Sequence, residues 1–283
     1  MRALIAFAAL AVAAAPLTTC GEATPCTASS ALDPDAPALT SGSWYRPAAD
    51  VTWQWQLTGV INTGYDVEIY DVDLFDTPSA TLRSLHGEGR RVLCYFSAGT
   101  AEDWRPDYGD FEACALGDAV DGWPGEVWLD IRSQTVVDVM SARLDLAVER
   151  GCDGVEPDNV DGYTNDPGFP LSPSDQLAFN KWLANEAHAR DLAVALKNDL
   201  DQVGDLVGFF DLALNEQCHV YDECDALRPF LSRGKPVLNA EYAISASQAA
   251  SQASSLCPGA NAAGLRSVIF PRDLDDAFRE ACF

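Results

Sequence analysis

Gly154-Val155-Glu156-Pro157-Asp158-Asn159 is a short apolar run that ends in charged and polar side chains. A helical pattern over 136–150 precedes this run and stops at Gly151, a residue type that commonly ends helices. A second helix follows it and runs to about residue 190, since Ser172 and Asp175 have capping-box spacing and Pro173 fits the first helical position. A strand between two helices predicts parallel strands joined by right-handed crossovers.

The same arrangement repeats along the chain. Several candidate strands are continuously apolar before a polar end, as strands buried on both faces are. The nine candidates are 53–57, 67–73, 91–97, 127–131, 154–158, 193–198, 210–216, 236–242 and 267–270. Roughly 240 residues with eight strand–helix units fit a single closed (β/α)8 barrel of the TIM type. One candidate is therefore surplus: either 53–57 or 267–270 is an accessory strand, or one segment is misassigned. An open doubly wound sheet is the alternative, but no GxGxxG or P-loop motif follows any strand.

Polar side chains stand at or near the ends of seven consecutive candidate strands. In a closed parallel barrel these ends meet at one face, so the side chains surround a single pocket. For Asp161 or Asp199 taken singly, an N-cap or a buried ion pair is the simpler interpretation. The set as a whole predicts a functional site, and these strand ends carry, among other polar residues, Asp73, Tyr95, Asp130, Glu156, Asp158, Lys197, Asn198, Glu216 and Glu241.

The residue types at these ends restrict the chemistry. They include no His, and the chain has no GxSxG motif, which argues against a Ser-His-Asp hydrolase and a His-ligated zinc enzyme. Carboxylates, amides and aromatics are what a glycosidase uses: one acid protonates the leaving oxygen, and one carboxylate acts as nucleophile or base. A Ca²⁺ or Mg²⁺ site at 156–159 that serves phosphoryl transfer and a Schiff base on Lys197 are the alternatives. We expect neither a metal nor a cofactor.

The charge balance bears on the partner. Lys plus Arg number 18 against 43 Asp plus Glu, a formal net charge of −25. Such a surface repels nucleic acid and attracts cations, so a cationic polymer is the expected partner. The simpler alternative is that the acidity serves only solubility. We expect a monomer.

The N-terminal sequence has the pattern of an export signal. Arg2 precedes an apolar stretch, 3–15, that is too short to span a bilayer, and no other segment is long and apolar enough to do so. Cleavage near 13–15 would release a secreted protein, whereas the segment before Cys20 resembles a lipobox and would give an outer-surface lipoprotein. Residues 1–20 are therefore assigned as the signal, 21–41 as a flexible tether and 42–283 as the barrel domain.

Nine cysteines leave one unpaired thiol in an exported chain. If Cys20 is lipidated, eight remain for four disulfides. Cys218 and Cys224 are close in sequence and are expected to pair, and Cys257 with Cys282 would hold the C-terminus; the other pairings stay open. A structural zinc site is the less favoured alternative, because there is no CxxC and only three His are present.

Six motifs in order resemble one known family, glycoside hydrolase family 114, the endo-α-1,4-polygalactosaminidases. They span residues 53–242 and are Trp53-Gln54-Trp55-Gln56-Leu57, Cys94-Tyr95-Phe96-Ser97-Ala98-Gly99, Trp128-Leu129-Asp130-Ile131-Arg132, the run 151–163 around Glu156-Pro157-Asp158-Asn159, Leu196-Lys197-Asn198-Asp199 and Leu214-Asn215-Glu216-Gln217-Cys218.

The resemblance implies a β/α barrel that cleaves α-1,4-linked galactosamine-containing polysaccharide. It implies Asp158 as nucleophile and Glu216 as general acid/base, with retention if their carboxyls lie about 5–5.5 Å apart. The other members of the predicted site would line the subsites. Lys197 is hypothesised to pair with Asp158 or Glu156 and to hold a carboxylate ionised. The competing function is a non-catalytic barrel that binds envelope polysaccharide, which would not need both carboxylates at one glycosidic bond.

Overall fold

The computed structural model describes residues 26–283, so the predicted signal, Cys20 and residues 21–25 lie outside the described part. A nine-stranded sheet forms the centre. Its first eight strands run parallel, and the ninth is antiparallel to the eighth. In sheet order they are β1 (Trp53–Gln56), β2 (Ile69–Asp73), β3 (Arg91–Ser97), β7 (Gly154–Asp158), β8 (Ala193–Lys197), β9 (Leu212–Glu216), β10 (Val237–Ala243), β11 (Arg266–Pro271) and β12 (Glu280–Ala281).

A small antiparallel sheet of three strands lies in the segment between β3 and β7. Its order is β4 (Thr100–Glu102), β6 (Glu126–Leu129) and β5 (Leu116–Ala119). The candidate strand 127–131 belongs here and not to the parallel sheet, so it is the misassigned member of the nine. An apolar run predicts a strand but carries no information about which strand it pairs with.

Helices pack on the outside of the sheet: α1 (Ser79–Gly87), α2 (Gln134–Arg150), α3 (Pro173–Ala189), α4 (Val203–Leu206), α5 (Cys218–Tyr221), α6 (Arg228–Ser232) and α7 (Ala246–Ala263). The two predicted helix boundaries are confirmed. Gly151 follows α2 with φ +82°, and Ser172 and Asp175 form the capping box of α3. No described helix separates β1 from β2, so the structure departs from a regular (β/α)8 repeat.

The sheet is curled, and its first and eighth strands meet through side chains. Trp53 Nε1 on β1 donates to the Arg266 carbonyl on β11 at 2.7 Å, and the Trp53 ring packs edge-on against Phe270 at 5.4 Å. Successive side chains of a strand point to opposite faces. One apolar cluster therefore fills the inside of the curl and another lies between the sheet and the helices. Polar side chains at the carboxyl ends close the inner cluster at one end.

Four disulfides crosslink the described chain. The predicted pairs Cys218–Cys224 and Cys257–Cys282 are present, and the two pairings left open are Cys26–Cys114 and Cys94–Cys152. These sulfurs are bonded to each other and are therefore not thiolate ligands for a structural zinc. Among residues 26–283, no helix has the length and apolar character needed to cross a membrane.

The described part of the predicted tether, residues 26–41, is held against the domain. Cys26 is crosslinked to Cys114, Ala28 forms a β-bridge with Ser133, and the Leu39 amide donates to Asn185 Oδ1 at 2.8 Å. These contacts contradict a free tether for this stretch. A Pro- and Ser-rich composition indicates low intrinsic order, but a disulfide to a residue 88 positions away fixes the segment all the same.

Candidate active site

A cavity of about 640 Å³ opens at the carboxyl ends of the parallel strands. Parallel strands bring their ends to one edge, and side chains on the inner face of the curl then point into the same space. Of the predicted site, Tyr95, Asp158, Lys197, Asn198 and Glu216 line this cavity.

Lys197 stands at the centre of the floor. Its Nζ lies 2.9 Å from Glu156 Oε1, 3.2 Å from Asp158 Oδ1 and 3.5 Å from Glu216 Oε2, and the residue is only 2% exposed. Burial alone would lower the pKa of Lys197, but the three carboxylates outweigh it and hold that pKa well above its usual range. The side chain is therefore a buried ammonium that ties β7, β8 and β9 together.

Asp158 has a partner at each carboxylate oxygen. The Tyr95 hydroxyl lies 3.1 Å from Oδ2, and the backbone N–H of Asn159 donates to Oδ1 at 2.8 Å. Lys197 Nζ lies 3.2 Å from Oδ1. Asn159 has φ +59°, a left-handed conformation that turns the chain sharply after β7. The carboxylate is thus fixed in direction while it still lines the open cavity.

Glu216 is fixed from three sides. Asn198 Nδ2 donates to Oε2 at 3.1 Å, the Tyr242 hydroxyl donates to Oε1, and Lys197 supplies the nearby charge. Burial raises the pKa of Glu216, but the ammonium of Lys197 and these two hydrogen bonds outweigh it, so the pKa lies below its usual range.

Asp158 and Glu216 face one space. Their Oδ1 and Oε2 atoms both lie within 3.5 Å of Lys197 Nζ. The two oxygens are therefore at most roughly 7 Å apart, which is within the range over which paired carboxylates act on one glycosidic bond. The arrangement brings two carboxylates together at a cavity wide enough for a sugar.

Glu156 lies behind the lysine and not at the cavity surface. It is fully buried beside Asp71, which is fully buried as well and accepts no hydrogen bond from the described residues at either carboxylate oxygen. Burial raises the pKa of Glu156 to about 7 despite Lys197, and burial and Glu156 raise the pKa of Asp71 well above its usual range. The expectation that Glu156 contacts substrate is not met in this structure: it anchors Lys197 instead.

Three more predicted residues lie outside the cavity lining. Asp73 is buried against Arg105, with Oδ2 2.6 Å from Nη2, so its charge is already neutralised. Asp130 pairs with Arg132 at 2.7 Å beside the small sheet, because its segment is not a strand of the curl. Glu241 accepts the His219 N–H at 3.0 Å on the outer face of β10.

The cavity has three acidic residues that the motif analysis did not single out, besides Asp161, which it named as a candidate N-cap or ion-pair partner. Glu102, Asp121, Glu126 and Asp161 line it together with the two central carboxylates, against Lys197 and Arg272 as the only described cations in the lining. Burial raises the pKa of Glu126 to about 7, and the residue hydrogen-bonds to Thr100. These acids stand on loops and on the small sheet, where no strand-end pattern marks them.

Aromatic side chains form much of the remaining wall. The lining includes Trp55, Tyr95, Trp104, Trp123, Trp128, Tyr221 and Tyr242. Trp104 and Trp123 are 51% and 52% exposed, which is unusual for such large apolar rings, and both lie at the cavity. Exposed rings beside carboxylates are typical of a site that holds the apolar faces and polar groups of sugars.

The described residues give no support to the metal alternative. The close groupings of possible ligands are Cys218 with His219 and Cys224, and Cys26 with Glu112 and Cys114. Both contain a disulfide, and neither includes the segment 156–159.

Comparison with known proteins gives a consistent result. The profile of glycoside-hydrolase family GH114 matches residues 34–282. The crystal structure of Aspergillus fumigatus Ega3 in complex with galactosamine is 42% identical and covers 86% of this chain and 99% of its own, with a TM-score of 0.80. The glycoside hydrolase domain of Pseudomonas aeruginosa PelA covers 80% and 96% with a TM-score of 0.65, but at 12% identity it supports the fold alone.

An uncharacterized protein of Deinococcus radiodurans is 27% identical over 264 residues, which cover 81% of this chain and 84% of that protein. The family match extends over most of the chain and includes every strand of the curled sheet. These matches confirm the hypothesis of an enzyme and not that of a barrel that binds polysaccharide without cutting it. The chain belongs to glycoside-hydrolase family GH114 and is a glycoside hydrolase.

Proposed function

We propose that this enzyme is exported and hydrolyses α-1,4-linked galactosamine-containing polysaccharide, with Asp158 as nucleophile and Glu216 as general acid/base. The observation that carries the proposal is the single ammonium of Lys197, which lies within 3.5 Å of both carboxylates at the floor of an acidic, aromatic cavity. A polysaccharide substrate agrees with the galactosamine bound by Ega3.

The mechanism follows from the positions of the two acids. Protonated Glu216 gives its proton to the glycosidic oxygen while Asp158 attacks the anomeric carbon, which breaks the C–O bond and forms a glycosyl ester. Glu216 then takes a proton from water, whose oxygen attacks the same carbon and releases Asp158 as a carboxylate. Two displacements at one carbon give retention of configuration.

Lys197, Tyr95 and the Asn159 N–H orient the Asp158 carboxylate for attack. The same ammonium also favours ionised Glu216, so the free enzyme has its acid in the protonated form mainly under acidic conditions. Formation of the ester removes the charge of Asp158, which leaves Lys197 to stabilise the ionised Glu216 that must next act as a base.

A cationic amino sugar suits the electrostatics of this cavity. Of the six carboxylates in the lining, Glu102 is paired with Arg105, and the other five face Lys197 and Arg272, so a neutral polysaccharide would leave part of the acidic charge uncompensated. The ammonium groups of deacetylated galactosamine would be attracted to it, and the exposed Trp104 and Trp123 would hold sugar faces.

Export is supported by the four disulfides, which persist in oxidising compartments. Eight of the nine cysteines are paired in this way, so Cys20 is left over as the residue that a lipid would modify. Mass spectrometry of the mature N-terminus distinguishes a secreted protein from a lipoprotein anchored at the outer surface. We retain the expectation of a monomer, which sedimentation would test.

The decisive assay measures release of reducing ends from deacetylated galactosaminogalactan and from a panel of neutral polysaccharides. Wild type should cut the amino-sugar polymer, and Asp158→Asn and Glu216→Gln should each lose about 10³-fold or more in kcat. Asp205→Asn, an exposed carboxylate outside both site cavities, is the matched control and should act as wild type does. Equal activity in all variants would refute the assignment, and preferential cutting of a neutral polymer would refute the substrate class.

A further inference from the structure

A second cavity of about 480 Å³ adjoins the first on the side of Glu216. The two share Asp161, Asn198, Glu216, Gln217 and Tyr221 in their linings, whereas Asp158 lines only the first. The general acid therefore stands on the border between the two spaces, and the nucleophile lies on the far side of that border.

The second cavity is acidic, and four of its five acids have no cationic partner among the described residues. Asp161, Asp199, Asp201 and Glu223 line it together with Glu216, and no Lys or Arg is in its described lining. Asp161 and Asp199 precede short 3₁₀ turns, yet neither side chain caps its turn, and neither forms an ion pair within residues 26–283. Both residues thus occupy the predicted N-cap positions, but neither makes the capping hydrogen bond or the ion pair of the simpler interpretation.

An independent feature of this cavity also indicates a ligand. Asn215 lines it and is only 2% exposed, and its Nδ2 donates to Asn198 Oδ1 at 3.2 Å. Its own Oδ1 has no hydrogen-bond partner. A buried amide oxygen without a donor carries a desolvation cost that a bound donor would relieve.

The geometry selects the kind of cation. Within residues 26–283 no three acids of this cavity lie close enough together to ligate one metal ion. Burial and the nearby acids raise the pKa of Asp161 to about 6 and that of Asp199 to about 7, as expected for carboxylates that lack counter-charge. Several separated carboxylates fit a ligand that carries several separated ammonium groups and N–H or O–H donors.

We infer that the second cavity binds the galactosamine units on the leaving-group side of the scissile bond. This inference rests on the proposed function, because a general acid must lie within hydrogen-bonding reach of the leaving oxygen, which places the departing chain beside Glu216. Sugar units would then be held on both sides of the cut, the first cavity holding the part that becomes attached to Asp158. Such binding favours cleavage within a chain over removal of terminal units.

The test uses Asp201→Asn/Glu223→Gln in the full enzyme. Neither side chain accepts a hydrogen bond from described residues or forms an ion pair, so the variant should fold as wild type does, which thermal unfolding checks. The substrate is an α-1,4-linked galactosamine heptamer, with the fully N-acetylated heptamer of the same length as a neutral comparison. Asp205→Asn is again the matched carboxylate control.

The double variant should raise KM for the cationic heptamer about tenfold, with less effect on kcat, and should move the preferred bond along the chain. The KM difference should shrink in high salt and be small for the N-acetylated heptamer. If wild type cuts the heptamer but the double variant has unchanged KM and products, the second-cavity assignment is overturned. If wild type does not cut any galactosamine chain, the proposed function itself fails.

Discussion

Asn198 and Glu216 are joined by two hydrogen bonds: Asn198 Nδ2 donates to Glu216 Oε2 at 3.1 Å, and the Glu216 backbone N–H donates to Asn198 Oδ1 at 2.9 Å. Asn198 has φ +48°, a conformation that Asn tolerates better than most residues. One amide therefore fixes both the backbone and the carboxylate of the proposed acid. Asn198→Asp keeps the shape and the acceptor but places a second carboxylate against Oε2.

We expect Asn198→Asp to raise the pKa of Glu216 and to lower kcat about 10²-fold, because an oriented donor to the acid is replaced by a repelling charge. The pH dependence of kcat/KM measures the first effect. A variant with full activity and an unchanged profile would show that this hydrogen-bond pair does not position Glu216.

The activity should depend on pH through Glu216. The acid must be protonated, and its pKa in the fold lies below the usual range, so kcat/KM should fall on the alkaline side of an acidic optimum. Lys197→Met removes the charge that lowers this pKa, and Tyr242→Phe removes one hydrogen bond. Both variants should shift the alkaline fall in kcat/KM to higher pH, and Lys197→Met should shift it further than Tyr242→Phe.

Lys197→Met also leaves the fully buried Glu156 without its cation, which costs roughly 3–5 kcal/mol if Glu156 stays ionised. Should that variant fail to fold, Tyr242→Phe still tests the assignment. If both variants kept full activity and the pH dependence of kcat/KM were unchanged, the role given to Lys197 would be contradicted.

In the fold, Asp71 should stay protonated at pH values at which a free aspartate is already ionised. Its pKa in the fold is well above that of an unfolded Asp, so the unfolded chain releases this proton first. The stability that Asp71 contributes is therefore present below about pH 4 and lost as pH rises. Asn cannot titrate, and its amide offers a hydrogen-bond donor to the neighbouring Glu156.

The unfolding free energy of Asp71→Asn relative to wild type should therefore increase as the pH rises from about 4 to about 7. Urea denaturation across this range, with disulfides intact, gives the difference. Asp205→Asn, at an exposed position, is the control. Its unfolding free energy relative to wild type should stay nearly constant across this pH range. A constant difference for Asp71→Asn would mean that Asp71 ionises in the fold as it does in a free chain.

Trp104 and Trp123 should bind substrate and contribute little to stability, because each ring is about half exposed at the cavity mouth. Trp104→Ala/Trp123→Ala should raise KM for the polymer about tenfold or more and shift Tm little. Val60→Ala removes an exposed apolar group outside the cavity lining and serves as the control. A large fall in Tm with unchanged KM would assign the two rings to packing instead.

The Cys94–Cys152 disulfide should matter more for stability than Cys218–Cys224. It closes a loop of 58 residues between β3 and the strand that carries Asp158, whereas the other closes a loop of 6. Loss of the longer crosslink should cost about 2–5 kcal/mol, because it frees more conformations of the unfolded chain. Denaturant midpoints of the two Cys→Ala double variants compare them, and an equal loss would argue against a loop-length effect here.

The alternation of strands and helices and the two central carboxylates were accessible from the sequence. Eight of the nine candidate strands lie in the curled sheet. They could be predicted because apolar runs and helix signals depend on burial and on neighbouring residues. Asp158 and Glu216 follow such runs directly, so the parallel arrangement brought them to one edge as predicted. The prediction failed at 127–131, where pairing depends on partners far along the chain.

By itself, the sequence determined the strand–helix order, the acidic character and the residues that parallel strands carry to one edge, because neighbouring residues specify all of these. Only the tertiary structure decided which acids remain available. Arg105 neutralises Asp73 from 32 positions away, Glu241 turns to the outer face of β10, and Lys197 joins two acids of other strands. A carboxylate can act on a substrate only where it still lines the cavity after its ion pairs have formed, as Asp158 and Glu216 do beside Lys197, and that arrangement exists only once the chain has folded.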